Sequence, residues 1–315
     1  MIWKKAAPLT IFAAFCLTLF ACGAGGRHAN EADGRVLAVA TMYPLAFLAE
    51  EIGGGRARVV NLVPAGVEPH DWSPRSRDLA EISRAHLFIY NGAGFEGWVE
   101  DVLEAAGGDD GPLAVRASEG IPLIRSSGEE AEHGDGHGGD HPDVDPHVWV
   151  SPKSARIMAD NILAAFLAVD PEGSAHYEAR HASLAERLRE LDGRYARELA
   201  ALPRRDIVVS HAAFGYLCRD YGLNQVAVMG LAPDAEPRAQ DLLAVKRLVE
   251  ERGVRAIFFE ELVSDRLARI LARETGAEAL PLNPLEGLTP EQAKAGENYL
   301  TLMERNLENL KKALG

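Results

Sequence analysis

Cysteine is nearly absent from this chain, with three in 315 residues. Cys16 lies in the first apolar stretch, Cys22 follows it, and Cys218 is left without an intramolecular disulfide partner, so a disulfide framework is excluded and a buried structural thiol is the expected role of Cys218. With no thiol cluster, any metal site has to be built from nitrogen and oxygen donors. Positive charge is also scarce: 33 Lys and Arg stand against 47 Asp and Glu, a net charge of −14. This balance argues against nucleic acid as a partner. The HExxH string of zinc hydrolases is missing as well.

Long apolar runs are missing too, except at the start. Lys4 and Lys5 precede "PLTIFAAFCLTLF", and "LFAC" closes the segment, which reads as an export signal over residues 1–21 whose apolar core is short for a membrane span. A small residue before Cys22, followed by "GAGG", resembles the lipobox of a bacterial lipoprotein, with Phe20 a loose fit; a plain signal with an incidental cysteine is the alternative. Lipid on Cys22 implies an extracytoplasmic, membrane-anchored protein at the cell surface or in the periplasm, with residues 22–34 as a tether. Removing Met1 to Ala21 takes two lysines and moves the charge from −14 to −16.

What remains is an alternation of short β-branched runs with helical patterns. "RVLAVA", "RVVNLVP", "HLFIYNG" and "PLAVRAS" read as strands separated by helices in "PLAFLAEEIGG", "SRDLAEISRA" and "FEGWVEDVLEAA". A second set runs through "RDIVVSH", "QVAVMG", "RAIFFEE" and "AEALPLN" to a final helix near "PEQAKAGENYLTLMERNLENLKKAL". The expected fold class is therefore α/β, with two parallel-sheet lobes at 35–168 and 203–315. Between them, 169–202 reads as one long helix of about thirty residues, roughly 45 Å, longer than one small lobe needs and suited to a rigid strut.

The ten histidines can then be sorted. "EPHDWSP" (Glu68 to Pro74) and "DPHVWVSP" (Asp145 to Pro152) share one grammar: acid, Pro, His, any residue, Trp, then Ser-Pro. Ser73 and Ser151 suit an N-cap and the following prolines the first helical position, so His70 and His147 are expected in stiff loops just before helices. Proline fixes φ ahead of each ring, which lowers the entropy lost in holding it. His211 follows the strand "DIVVS", at the carboxyl end where open parallel sheets place ligands. Glu286, past "AEALPLN", sits at the equivalent edge of the same lobe. Three neutral imidazoles and one carboxylate would form a closed tetrahedral set matched to Zn²⁺.

"VPAGVEPHDWSP", "DPHVWVSP", "SHAAFGY", "FFEE" and "LNPLEGLTPEQ", in this order, resemble the zinc- and manganese-type metal-binding lipoproteins that feed ABC importers, and the likeness covers the mature chain. The resemblance implies two α/β lobes joined by one long helix, metal in the cleft between them, and delivery to a membrane permease. It puts the first three metal ligands on His70, His147 and His211. Many relatives supply the fourth from an aspartate where this chain has Asn283; a branch similar to the laminin-binding streptococcal lipoproteins carries "NPLE" and uses its glutamate, which here is Glu286. Manganese-type members place a glutamate at the position of His211, so the histidine favours zinc.

His133, His137 and His141, spaced by Gly and Asp, fall in a segment, 129–144, that matches the histidine-rich loop of zinc-type relatives. Its composition cannot bury a core. Auxiliary weak zinc binding and a solvated loop without effect are both open. No role is expected for His28, His86, His176 or His181. The expected protein is a monomeric, non-enzymatic zinc-capture component; a manganese-binding homologue, a laminin-type adhesin and a secreted zinc hydrolase are the alternatives, the last needing an open coordination position that four protein ligands do not leave.

Overall fold

The computed structural model describes residues 34–125, 144–233 and 239–315. Cys22, His133, His137 and His141 lie outside them. In the first lobe β1 (Val36–Ala40), α1 (Tyr43–Gly53), β2 (Ala57–Asn61), α2 (Ser76–Ile82), β3 (Leu87–Tyr90), α3 (Val99–Ala105) and β4 (Leu113–Arg116) form a parallel sheet in the order β2-β1-β3-β4. Helices α4 (Pro152–Val169) and α5 (Ser174–Ala200) follow. The second lobe holds β5 (Asp206–Val209), α6 (Gly215–Tyr221), β6 (Asn224–Ala227), α7 (Ala239–Arg252), β7 (Ala256–Phe259), α8 (Arg266–Thr275), β8 (Glu278–Pro281), α9 (Pro290–Ala295) and α10 (Tyr299–Leu314). Its parallel sheet runs β6-β5-β7-β8, the same order again.

Side chains alternate across each strand, and the alternation assigns them to different cores. Val36, Ala38 and Ala40 of β1, Leu87 and Ile89 of β3, and Ile207 and Val209 of β5 face one cluster shared by both lobes. Leu37, Val39 and Phe88 turn outward to a smaller cluster with Val99 and Val102 of α3; Val208 and Ile257 do the same beneath α7 and α8. Strands buried on both faces account for the continuous apolar runs in the sequence. Helix α5, 27 residues and about 40 Å long, lies along this shared core. Arg180 and His176 near its start bond the carbonyls of Glu51 and Gly53, while Tyr195 near its end donates to the Met303 carbonyl at 2.6 Å.

Three helix boundaries differ from the sequence expectation. Helix α2 begins at Ser76, not at Pro74, because the Asp78 carboxylate accepts the Arg75 N–H at 2.8 Å and fixes the N-cap there. Helix α3 starts only at Val99; Ala93 has φ 53° and Glu96 turns back onto the Asn91 and Gly92 amides, so Phe95 to Trp98 are loop. The final helical stretch is two helices, since Gly296 ends α9 in the left-handed conformation and Asn298 caps α10. Ser151 caps α4 with Pro152 next, as expected.

The lobes are pinned to each other by buried bonds. Trp149 Nε1 donates to the Pro284 carbonyl at 2.8 Å, Tyr299 Oη to the Trp149 carbonyl at 2.7 Å, and Tyr216 Oη to the Asp145 carbonyl at 2.7 Å. Ser151 bonds Asp220, and the Tyr299 ring stacks on Phe47 at 5.5 Å. Tyr299 is fully buried, so Tyr299→Ala is expected to cost about 3–5 kcal/mol. Because the core is shared, chemical denaturation followed by fluorescence and circular dichroism should give one coincident transition in the parent protein; two separate transitions would contradict a shared core.

Candidate metal centre

His70, His147, His211 and Glu286 reach one point from four separate loops. His70 follows β2, His147 precedes the helical turn Val148–Val150 that leads into α4, His211 lies between β5 and α6, and Glu286 follows β8. One donor atom from each lies within 4.8 Å of the others. The Nε2 atoms of His70 and His147 are 3.2 Å apart and those of His147 and His211 3.4 Å. Glu286 Oε1 is 3.4, 3.3 and 3.4 Å from Nε2 of His70, His147 and His211. Five of the six edges are thus 3.2–3.4 Å, and a regular tetrahedron of that edge has its centre about 2.0 Å from each corner, the length of a Zn–N or Zn–O bond. His147, His211 and Glu286 are at most 1% exposed, whereas the His70 side chain keeps 12%.

Carboxylates behind the rings fix which nitrogen faces inward. His147 Nδ1 is 2.8 Å from Asp145 Oδ1 and His211 Nδ1 2.7 Å from Glu260 Oε1. A carboxylate only accepts, so each Nδ1 carries a proton and each ring, once neutral, presents its lone pair at Nε2, the usual orientation of a metal-ligating histidine. The repeated acid-Pro-His string thus has a use that its loop-stiffening prolines alone did not suggest: Asp145 takes both the ring and the backbone N–H of His147, the latter at 3.0 Å. Glu68, one methylene longer, bonds only the backbone N–H of His70, at 3.2 Å. Gly215 completes the arrangement, because a Cβ there would lie 2.4 Å from Asp145 Oδ2.

The Glu286 loop carries strain that Asn283 supports. Leu285 has φ 66°, unusual for a bulky residue, and the Asn283 side-chain oxygen accepts its N–H at 2.7 Å. Asn283 is itself gripped by Asn306 at its backbone N–H and carbonyl, and by Glu261 at its amide. Asn283 is thus a scaffold for the Glu286 loop. Both Glu286 oxygens are buried with no hydrogen-bond partner among the described residues, which is costly for a carboxylate unless a cation compensates it.

Facing one another, His147, His211 and Glu286 distort each other's titration. Burial lowers the His147 pKa, but the hydrogen bond to Asp145 and the adjacent Glu286 carboxylate outweigh it and raise it. Burial opposes His211 likewise, yet the charge and hydrogen bond of Glu260, with Glu286, push it up to about 10. For Glu286, burial raises and the three histidines lower, and the carboxyl lies well below its usual range. Glu68 is pushed up to about 8 by burial and by the Glu286 charge.

Two α/β lobes meeting over a closed set of three imidazoles and a carboxylate define a two-lobed binding protein whose donor set fits a metal ion. Residues 38–313 match the family described as ZnuA, zinc-uptake complex component A, periplasmic, and the chain belongs to that family. The zinc-binding lipoprotein AdcA of Streptococcus pneumoniae is 38% identical over 304 residues, covering 96% of this chain and 60% of AdcA. The chain thus spans about 60% of the length of AdcA. The high-affinity zinc uptake system protein ZnuA of Bacillus subtilis is 37% identical over 315 residues, 99% of this chain and 98% of that protein. Among solved structures, the Zn(II)-bound ZnuA-like domain of S. pneumoniae AdcA matches with TM-score 0.76 and 36% identity, over 89% of this chain and 99% of that one. The laminin-binding protein Lmb of Streptococcus agalactiae, described as having adhesin and metal transporting activity, matches with TM-score 0.78 and 26% identity, over 89% of this chain and all of that one.

Metal binding requires bare Nε2 lone pairs, so the proton on His211 has to leave at any pH below about 10. Metal affinity should therefore fall steadily as pH is lowered from 10, by about one log unit per pH unit for each proton displaced. Titration of affinity against pH in a competing chelator checks this; a flat profile between pH 6 and 9 contradicts the geometry. Gly215→Ala, which forces Asp145 away from its place behind His147, should weaken metal binding by about 10–100-fold, the usual loss for an outer-shell partner. Calorimetry of that variant measures the effect.

Proposed function

We propose that this protein is the extracytoplasmic zinc-binding component of an ABC importer, holding Zn²⁺ on His70, His147, His211 and Glu286 and delivering it to a membrane permease. The observation that carries the reading is the set of donor separations of 3.2–3.4 Å, which fit a four-coordinate ion at about 2.0 Å. Membership of the zinc-uptake family and likeness to a Zn(II)-bound domain support the same ion. Four protein donors leave no open position for an activated water, which favours capture over hydrolysis. Among the described residues no helix is long and apolar enough to cross a membrane, and lipid on Cys22 is the proposed anchor of a monomer. The ion enters past His70, the one donor with an exposed edge.

An adhesive role is a second reading, favoured only by the likeness to Lmb. Manganese is the competing ion. It stands lower in the affinity series and prefers more oxygen donors than this set offers, so zinc should bind tighter by orders of magnitude. Competition titrations at one pH decide the matter; equal affinity for manganese would sink the zinc assignment. His211→Ala should lose more than the roughly 100-fold that outer-shell changes cost. His211→Glu, with two nitrogens and two carboxylates, should narrow the zinc-over-manganese margin without inverting it.

A further inference from the structure

The two sheets share one strand order, and in such sheets the crevice for ligands opens beyond the carboxyl ends of the strands where the winding reverses. In the second lobe that place, between β5 and β7, is filled by His211 and Glu260. In the first lobe the equivalent place, between β1 and β3, opens into a cavity of about 450 Å³. It lies within the size range of small-molecule sites. The four-donor centre touches it only through His70, which forms one wall.

The lining has a definite chemistry. Glu96, on the floor, is buried and rigidly held: Oε1 accepts Thr41 Oγ1 at 2.6 Å and the Asn91 N–H at 2.8 Å, and Oε2 accepts the Gly92 N–H at 3.0 Å. Asp101 is exposed at the rim. Trp72 and Trp98, half-buried and edge-to-face at 5.6 Å, line the cavity as well. No lysine or arginine is found among the described lining residues. Two carboxylates beside two indoles, in a chain of net charge −14, attract a cation that also has apolar surface to bury.

We propose that the β1/β3 crevice binds an organic cation, an ammonium or guanidinium on a short apolar stem, held between Trp72, Trp98, Glu96 and Asp101. A free amine and a basic side chain of another protein present the same chemistry. An occupant packs behind His70, so it hinders the outward movement of that ring and slows metal exchange, a consequence that rests on the function proposed above.

The test uses the full zinc-loaded chain. Tryptophan fluorescence and calorimetry follow the addition of n-butylguanidinium, of its neutral isostere n-butylurea, and of the capped peptide Gly-Arg-Gly. Saturable 1:1 binding of n-butylguanidinium, with n-butylurea at least tenfold weaker, supports the site with a free organic cation as its ligand. Binding of the peptide alone supports it with a protein side chain as the source. Asp101→Asn, a change at an exposed position that keeps the fold, should weaken the bound cation about two- to fivefold, the loss of one exposed ion pair, and leave zinc stoichiometry unchanged. Binding of neither cation, equal binding of n-butylurea, or an unaltered Asp101→Asn variant overturns the proposal. Neither probe chelates zinc and their binding is read independently of the metal, so failure here leaves the metal assignment standing.

Discussion

Three imidazole nitrogens and a carboxylate oxygen, gathered within 4.8 Å with five of their six separations at 3.2–3.4 Å, repel through their lone pairs unless positive charge lies among them. The rest of the structure supplies what holds them there. Asp145 and Glu260 orient two of the rings, Asn283 and Asn306 force the backbone at Leu285 into a left-handed turn, and Trp149 ties the His147 loop to the Glu286 loop through the Pro284 carbonyl. Such a left-handed turn at a bulky residue costs about 1–3 kcal/mol and persists only where its surroundings over-determine it. Here they do, with four bonds of Asn283 around one turn.

The shared core explains why the donors stay converged although they come from both lobes. Alternate residues of β1, β3, β5 and β7 pack into one apolar body with α1, α4, α5 and α10. Separating the lobes would expose that body and break the buried bonds of Trp149, Tyr299 and Tyr216. Wide hinge closure is therefore disfavoured, and the conformational freedom that metal exchange needs is left to the loops around the centre.

Much of the site was legible in the sequence because its signals are local. A repeated acid-Pro-His-x-Trp string, a histidine directly after a β-branched run, and "NPLE" after the last strand are each read within a few residues. All eight strands were equally legible, since a short β-branched apolar run bounded by turn residues declares itself within four or five residues. The helix boundaries at Arg75, Val99 and Gly296 were not, because side chains turned back on the chain decided the first two and a single glycine the third. Nor were the roles of Gly215 and Asn283. Gly215 matters through Asp145, seventy positions earlier, and Asn283 through Asn306, so neither has a meaning until the chain is folded.

The unequal exposure of the donors separates affinity from exchange. His147, His211 and Glu286 form a floor that is buried, oriented and strained into place, so its ordering entropy is lost on folding rather than on binding. His70 is different: the carboxylate behind it, Glu68, holds only its backbone N–H and not its ring, the ring meets Phe95 edge-on at 4.8 Å, and of the four donors it alone has solvent at its edge. An ion held by four donors leaves most readily by losing the least restrained one first, and a three-donor floor keeps the ion bound while that happens. Under the function proposed above, the rigid floor sets how tightly zinc is held, and the His70 loop sets how fast it is passed on. Whatever docks against that loop or fills the space behind it acts on the rate and leaves the selectivity of the floor untouched.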